Sequence, residues 1–440
     1  MGQTITEKIL ARHCGRDSVS SGETIEAKVD VLMMHDITSS DAIKLLRRGF
    51  RNRIHPDLKV VVTPDHYVPG KDIASAILYK ELSEFVNEQQ GLGANVIGYM
   101  VEGGDYGVCH VMLPSKGHII PGDLIVGGDS HTCTYGALGA FSTGIGTTEA
   151  GNVLATGSLW FRVPETMKID VNGKMPGNVM AKDLFLQVVG SIGVDGALYQ
   201  AMEWTGEAIR NMSMDERMTL TNMAIEAGAK SGIIEPDEIT MQYLRHRIDG
   251  KELSQFMQSG WSKVVDLCSQ LKSDHDAKYV SVRKINASAL EPLVAMPHLP
   301  SNVAFASELR DIRINQAYVG SCTGGKWEDF VAAAEILNGK RIAKGVRLLV
   351  VPSTSDIQRR LVKEGLYETF MDAGAVFSNP TCGACLGGYM GVLAPNEVCI
   401  STTNRNFVGR MGSKESQVYL ASPKTVAASA IAGYITGAEK

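Results

Sequence analysis

Apolar positions along the chain follow two periods. Short aliphatic and β-branched runs at 59–63, 123–126, 316–319, 346–351, 375–377 and 398–402 predict strands. Helical spacing predicts helices at 4–13, 72–90, 327–337 and 355–364, with a last one from Ser422-Pro423 to about Tyr434. Residues 23–32 alternate polar and apolar, which predicts one further strand. The repeated order strand, polar loop, helix is the signature of an α/β fold. It is interrupted at 168–284, where helical patterning dominates. A strand pair is expected there near 167–171, and a charged helical stretch poor in chemistry at 235–278. Pro292, Pro297 and Pro300 mark an expected linker, after which the rhythm resumes. The chain therefore divides into three parts, 1–165, 166–286 and 287–440.

The polar loops fall at strand ends, where open α/β sheets bind ligands. His35-Asp36-Ile37-Thr38, Asp65-His66, Cys109-His110 and Gly128-Asp129-Ser130-His131 are four such loops in the first part. An Asp beside a His orients the imidazole and raises its basicity, which suits a general acid. One such pair reads equally well as a helix cap. Four of the ten histidines in loops at one sheet end favour a site. In the middle part, Asn222 and Glu226 stand four apart and share a face if that segment is helical. Near the C-terminal end, Asn404, Arg405 and Arg410 surround Gly409, and arginines clamp carboxylates bidentately. The glycine run 139–146 lacks the lysine of a phosphate loop and reads as close backbone packing.

Three thiols, Cys322, Cys382 and Cys385, sit in glycine-rich turns, which suits buried structural cysteine poorly. Three thiolates can hold an iron–sulfur cluster with one iron lacking a protein ligand, open to act as a Lewis acid. A structural zinc site would need a fourth ligand, and none stands at matching spacing. A redox Cys pair belongs in the first strand–helix unit, and this pair is far downstream. Cluster and bland alternatives stand level on spacing alone.

Composition narrows the partners. The net charge is −5 with no long basic run, which argues against nucleic acid as the main partner. No apolar run has the length of a membrane span. The N-terminus lacks a signal core, and eight cysteines are too few for a disulfide scaffold, so reduced thiols in the cytoplasm are expected.

Taken in order, these loops resemble the aconitase superfamily over essentially the whole chain, and within it the separate large subunits of the isopropylmalate dehydratase and homoaconitase type. The resemblance implies an aconitase-like fold of three α/β/α domains around one [4Fe–4S] cluster, held by Cys322, Cys382 and Cys385. The fourth iron would bind the substrate hydroxyl and a carboxylate. Asp65 with His66 would protonate the leaving hydroxyl. His110, Asp129 and His131 would support the relay, and Glu226 would hydrogen-bond the iron-bound water. His35, Ser130, Asn404, Arg405 and Arg410 would meet substrate, and Asn222 would line the cluster. Gly324 departs from the family, which usually has Asn after the Cys-Thr pair. The family's proton-abstracting serine lies on a swivelling C-terminal domain, and this chain ends at Lys440. A separate small subunit is therefore expected to supply it, in a heterodimer or heterotetramer. The implied reaction is dehydration and rehydration of a malate-type 2-hydroxy di-acid, foremost isopropylmalate isomerisation in leucine synthesis. Homoaconitate, 2,3-dimethylmalate and maleate or citraconate are the neighbouring substrates. An RNA-binding iron sensor and a zinc-stabilised binding protein are the readings from other classes.

Overall fold

A computed structural model describes residues 2–248 and 260–439. Each of the three parts carries its own sheet. In the first, β1 (Val31–Met34), β2 (Lys59–Val62), β3 (Val96–Gly98), β4 (Leu124–Gly127) and β5 (Phe141–Gly144) run parallel in the order β3-β2-β1-β4-β5. In the second, β6 (Thr166–Asn172), β7 (Ala201–Thr205), β8 (Ser231–Ile234) and β9 (Ser281–Asn286) run parallel in the order β8-β7-β6-β9. The third holds β10 (Leu293–Ala295), β11 (Val303–Phe305), β12 (Gln316–Gly320), β13 (Arg347–Val351), β14 (Ala375–Phe377), β15 (Val398–Ser401) and β16 (Gln417–Ala421). Its order is β11-β10-β16-β15-β12-β13-β14. The last five of these are parallel, and β10 and β11 add an antiparallel edge.

All three sheets repeat one winding. Counting parallel strands from β1, β6 and β12, the first is interior, the next two build outward on one side, and the fourth lies on the other. A parallel strand is covered on both faces, so its residues are apolar without alternation. Val60, Val61 and Val62 are all fully buried for this reason. Burying one such side chain stabilises the fold by roughly 1.5–3 kcal/mol. Where the strand order reverses, the loops leave in opposite directions and open a crevice at the carboxyl ends. In the first sheet that point lies between β1 and β4, whose next residues are His35 and Gly128-Asp129. In the third it lies between β12 and β15, which run into Ser321-Cys322 and Thr402-Thr403-Asn404.

Several expectations changed. The strand expected at 23–32 is two. Thr24–Lys28 pairs antiparallel with Ser158–Arg162, and β1 starts only at Val31. The break falls at Asp30, whose carboxylate accepts from the Leu124 amide and meets His13 instead of facing a sheet. The proline-marked stretch is not a linker, because β10 and β11 extend the third sheet. Its prolines stand just outside the strands and leave the ladder intact. Asn222 ends helix Met214–Asn222, and Glu226 follows in a 3₁₀ turn, Met223–Ala227, closed by left-handed Gly228. The expected helical stretch at 235–278 contains helices Glu238–Ile248 and Gly260–Gln270, and its residues 249–259 lie outside the described residues. Among the described residues no helix is long and apolar enough to cross a membrane.

Close packing of the glycine run 139–146 is observed: a Cβ at Gly139 would lie 2.7 Å from Pro236 Cδ, and one at Gly144 2.6 Å from the Asp129 carbonyl. Just before it, the 3₁₀ segment Ser130–Leu138 presses on β8, and a Cβ at Gly136 would lie 1.7 Å from the Gly232 carbonyl. That approach brings the first two parts together behind His131.

Candidate active site

Four histidines converge on one carboxylate. Asp129 Oδ1 lies 3.1 Å from His110 Nε2 and 3.3 Å from His131 Nδ1. Its Oδ2 lies 3.6 Å from His66 Nε2 and 3.8 Å from His35 Nε2. The His35 and His66 rings stand 4.5 Å apart. Asp129 also accepts from the His131 amide at 2.8 Å, which fixes the turn after β4. Burial opposes ionisation of Asp129, but the hydrogen bond and charge of His110, then those of His131, hold it well below the usual carboxylate range.

The loop after β2 is pinned from both sides. Asp36, just past β1, accepts the backbone amides of Asp65, His66 and Tyr67 at 3.0, 3.1 and 2.7 Å. Asp65 Oδ1 meets His66 Nδ1 at 2.6 Å, and its Oδ2 accepts the Cys109 amide at 2.8 Å. Against burial, the charge and hydrogen bond of His66 bring Asp65 down to about 2. The Asp65 carbonyl accepts from the Cys382 amide at 2.8 Å and from Thr381 Oγ1 at 2.9 Å. The acid–base loop of the first part is thus sewn onto the double-cysteine loop of the third.

The thiols line the facing wall. Asn404 Oδ1 lies 3.7 Å from Cys322 Sγ and 3.9 Å from Cys385 Sγ. Cys382 Sγ lies 4.0 Å from Asp65 Oδ2. Asn404 Nδ2 donates to Asn222 Oδ1, Asn222 Nδ2 donates to Thr134 Oγ1 at 2.8 Å, and Thr134 Oγ1 donates to the His131 carbonyl at 2.6 Å. This chain of bonds crosses all three parts. Glu226 meets His131 Nε2 at 2.8 Å and accepts from Arg405 Nε at 2.8 and 3.0 Å. Arg405 Nη2 donates to Ser130 Oγ at 3.0 Å. Arg410 sits in the turn after Phe407, beside the Gly387 loop, and its buried Nε has no partner among the described residues.

The donor set fits an iron–sulfur cluster. It is sulfur only, carried on loops that leave strand ends, with Cys322 and Cys385 buried and Cys382 half-buried. Burial, then the neighbouring Cys385, pushes the Cys322 thiol up to about 12, and burial raises the Cys382 thiol well above its ordinary value. Thiols this shielded become thiolates only against a bound cation, which a cluster supplies. Gly324 follows from the same packing, because a Cβ there would lie 2.2 Å from both Cβ and Oγ1 of Thr402. Thr402 in turn bonds the amide and carbonyl of Gly320 at 2.9 Å each.

The residues singled out from sequence meet around this crevice, and among the described residues Arg410 is the one whose side chain makes no hydrogen bond or ion pair to the others. Sequence reading missed Asp36 as the clamp of the Asp65 turn, Thr134 as the link to Asn222, and two buried lysines, Lys182 and Lys326, behind the thiol loops. Asp36 stood in a loop already flagged. Nothing in the spacing marks a lysine as buried.

The profile of the aconitase family (aconitate hydratase) matches residues 7–309 and 304–433. A 3-isopropylmalate dehydratase large subunit of Desulfatibacillum aliphaticivorans is 49% identical over 437 residues, covering 99% of each chain. One from Heliobacterium modesticaldum is 49% identical over 435 residues, covering 99% of this chain and 98% of its own. One from Aquifex aeolicus is 50% identical over 440 residues, covering 99% of this chain and 96% of its own.

Proposed function

The chain belongs to the aconitase family and is a hydro-lyase, and from that premise we propose that it is the cluster-bearing large subunit of a 3-isopropylmalate dehydratase. Its relatives carry that name across nearly their whole length. The observation that carries the mechanism is the placement of Asp129 and its four histidines against the wall of three thiols.

In this reading Cys322, Cys382 and Cys385 hold one [4Fe–4S] cluster, which when bound supplies a Lewis acid with a position free of protein ligands. The remaining steps belong to the chain's own side chains. Asp65 accepts Nδ1–H of His66 and so fixes the ring with Nε2 toward Asp129. His66 holds a proton at Nε2 and delivers it to the departing hydroxyl, a poor leaving group unless protonated. Asp129, against His66 and His110, balances the charge as that proton moves. His131 and Glu226 form the second arm of the relay; against burial, the His131 bond and then the Arg405 charge keep Glu226 ionised. His35 and Ser130 face the substrate, and Arg410 is held for a substrate carboxylate. Asn222 and Asn404 hold the thiol loops in register. The three stretches 1–165, 166–286 and 287–440 serve as the domains that close on substrate.

A separate small subunit supplies the base that removes the carbon-bound proton. The test is anaerobic reconstitution of the full chain with iron and sulfide, alone and with a candidate small subunit, followed by alkene absorbance with isopropylmalate, homocitrate, dimethylmalate and malate. Turnover of isopropylmalate above the others, only with both chains, is expected. Equal turnover by the lone chain would remove the two-chain reading, and preference for another di-acid would reassign the substrate. Cys382→Ser should lose bound iron and turnover together.

A further inference from the structure

Lys182 and Lys326 are both fully buried behind the thiol loops, and they are satisfied in different ways. Lys326 Nζ meets three acceptors: Thr323 O, Thr219 Oγ1 at 2.9 Å and Asp329 Oδ2 at 2.9 Å. Its charge is paired with a carboxylate. Lys182, in the first turn of helix Ala181–Ile192, reaches across to the third part. There its Nζ donates to the carbonyls of Thr402, at 2.7 Å, and Thr403. No carboxylate accepts from it among the described residues. The adjacent Asp183 is committed elsewhere, its two oxygens accepting the Met180 and Leu293 amides at 2.9 Å each.

An ammonium taken out of water without a counter-charge costs several kcal/mol. Two carbonyl dipoles offset only part of that. Burial pulls Lys182 down to about 7, and the group that most opposes the fall is Cys385, followed by Asp329, with Cys322 adding to them and Lys326 acting against. The carbonyls that hold Lys182 belong to the two residues before Asn404, whose side chain touches the sulfurs of Cys322 and Cys385. Three thiolates bring more negative charge than a cluster core returns, and Lys182 stands behind that excess as a buried ammonium held by carbonyls alone among the described residues.

We propose that Lys182 is the buried counter-charge of the cysteine site, a positioning residue whose ammonium offsets the net negative charge of the bound cluster and favours its reduced form. The proposal rests on the reading that Cys322, Cys382 and Cys385 hold the cluster. Reduction adds an electron beside a fixed positive charge, so removing that charge makes reduction harder.

The test compares the full chain, Lys182→Met, Lys182→Arg and the charge-neutral pair Lys326→Met/Asp329→Asn, each reconstituted anaerobically. Iron and sulfide are counted, and the cluster is titrated redox-wise by electron paramagnetic resonance. Lys182→Met should shift the reduction equilibrium at least tenfold toward the oxidised form, about 59 mV for one electron. Lys182→Arg should restore most of that shift, and the Lys326/Asp329 pair should move it much less. Without cluster, Lys182→Met should melt no lower than the unaltered chain, because it removes an uncompensated buried charge. A cluster-free melt lowered by several degrees, or an unchanged midpoint with full cluster, would make Lys182 a structural clamp and overturn the proposal. If the unaltered chain takes up no iron and sulfide, the cluster reading itself falls and carries this one with it.

Discussion

Arg405→Met removes the partner of a carboxylate that cannot reach water. The Glu226 side chain is 2% exposed and that of Arg405 20%. Two bonds join them, at 2.8 and 3.0 Å. Charge centres about 4 Å apart attract by about 4 kcal/mol at an effective dielectric near 20. Loss of one partner from such a buried pair costs roughly 3–5 kcal/mol, because the other charge stays behind. His131 donates a second bond to Glu226 at 2.8 Å and carries part of that load, so the lower end is expected. Glu226→Gln in the same background removes the stranded charge and should recover most of the loss. At about 2.1 cal/mol/K per residue over 440 residues, each kcal/mol moves the melting temperature by about 1 °C. Arg405→Met should therefore melt about 3 °C lower, and the double variant within about 1–2 °C of the unaltered chain. The assay is thermal unfolding of the full-length chain and the three variants, read as a double-mutant cycle. Additive effects, with coupling below about 1 kcal/mol, would mean that water screens the pair as at a surface, and the reasoning would fail.

Two further outcomes follow from packing and titration. Gly324→Ala should cost at least about 2 kcal/mol and reduce iron uptake, since its Cβ would overlap Thr402 and push on the Cys322 turn. Unchanged melting and iron content would show that the turn yields. Asp123, beside Asp30 at the far end of the first sheet, is raised to about 7 by burial and then by Asp30, with Lys59 and His13 opposing. Its folded value lies above its unfolded value near 3.9, so the folded chain keeps the proton longer. Stability is lost as pH rises from about 4 to about 7 and is flat above. Asp123→Asn should be more stable than the unaltered chain at pH 8, by on the order of 4 kcal/mol, and no more stable at pH 4. The same gain at both pH values would place its cause elsewhere.

Much of this was legible in the chain. Helix Trp327–Leu337 has its expected bounds, and the strand runs at 59–63 and 346–351 became β2 and β13, because each is a continuous apolar run set off by polar loops. The histidine loops were found because residues at successive strand ends share one edge of a parallel sheet. What the sequence hid depends on contacts distant along the chain. Asp30 turns inward to Leu124, which splits one apparent strand into two. Thr402 fills the space beside Gly324, and neither residue announces the other. Lys182 has ordinary helical spacing, and only the tertiary fold buries it.

The division of the site between sheets also sets an order of synthesis. Cys322, Cys382 and Cys385 all extend from the last-made sheet, whereas His35, Asp65, His66, His110, Asp129 and His131 extend from the first. At roughly 5–20 residues per second, the acid–base half leaves the ribosome tens of seconds before the last thiol does. Thr381, Cys382 and Arg405, which pin Asp65 and Glu226, are made last, so the acid–base wall reaches its final bonding only as the thiol loops join it.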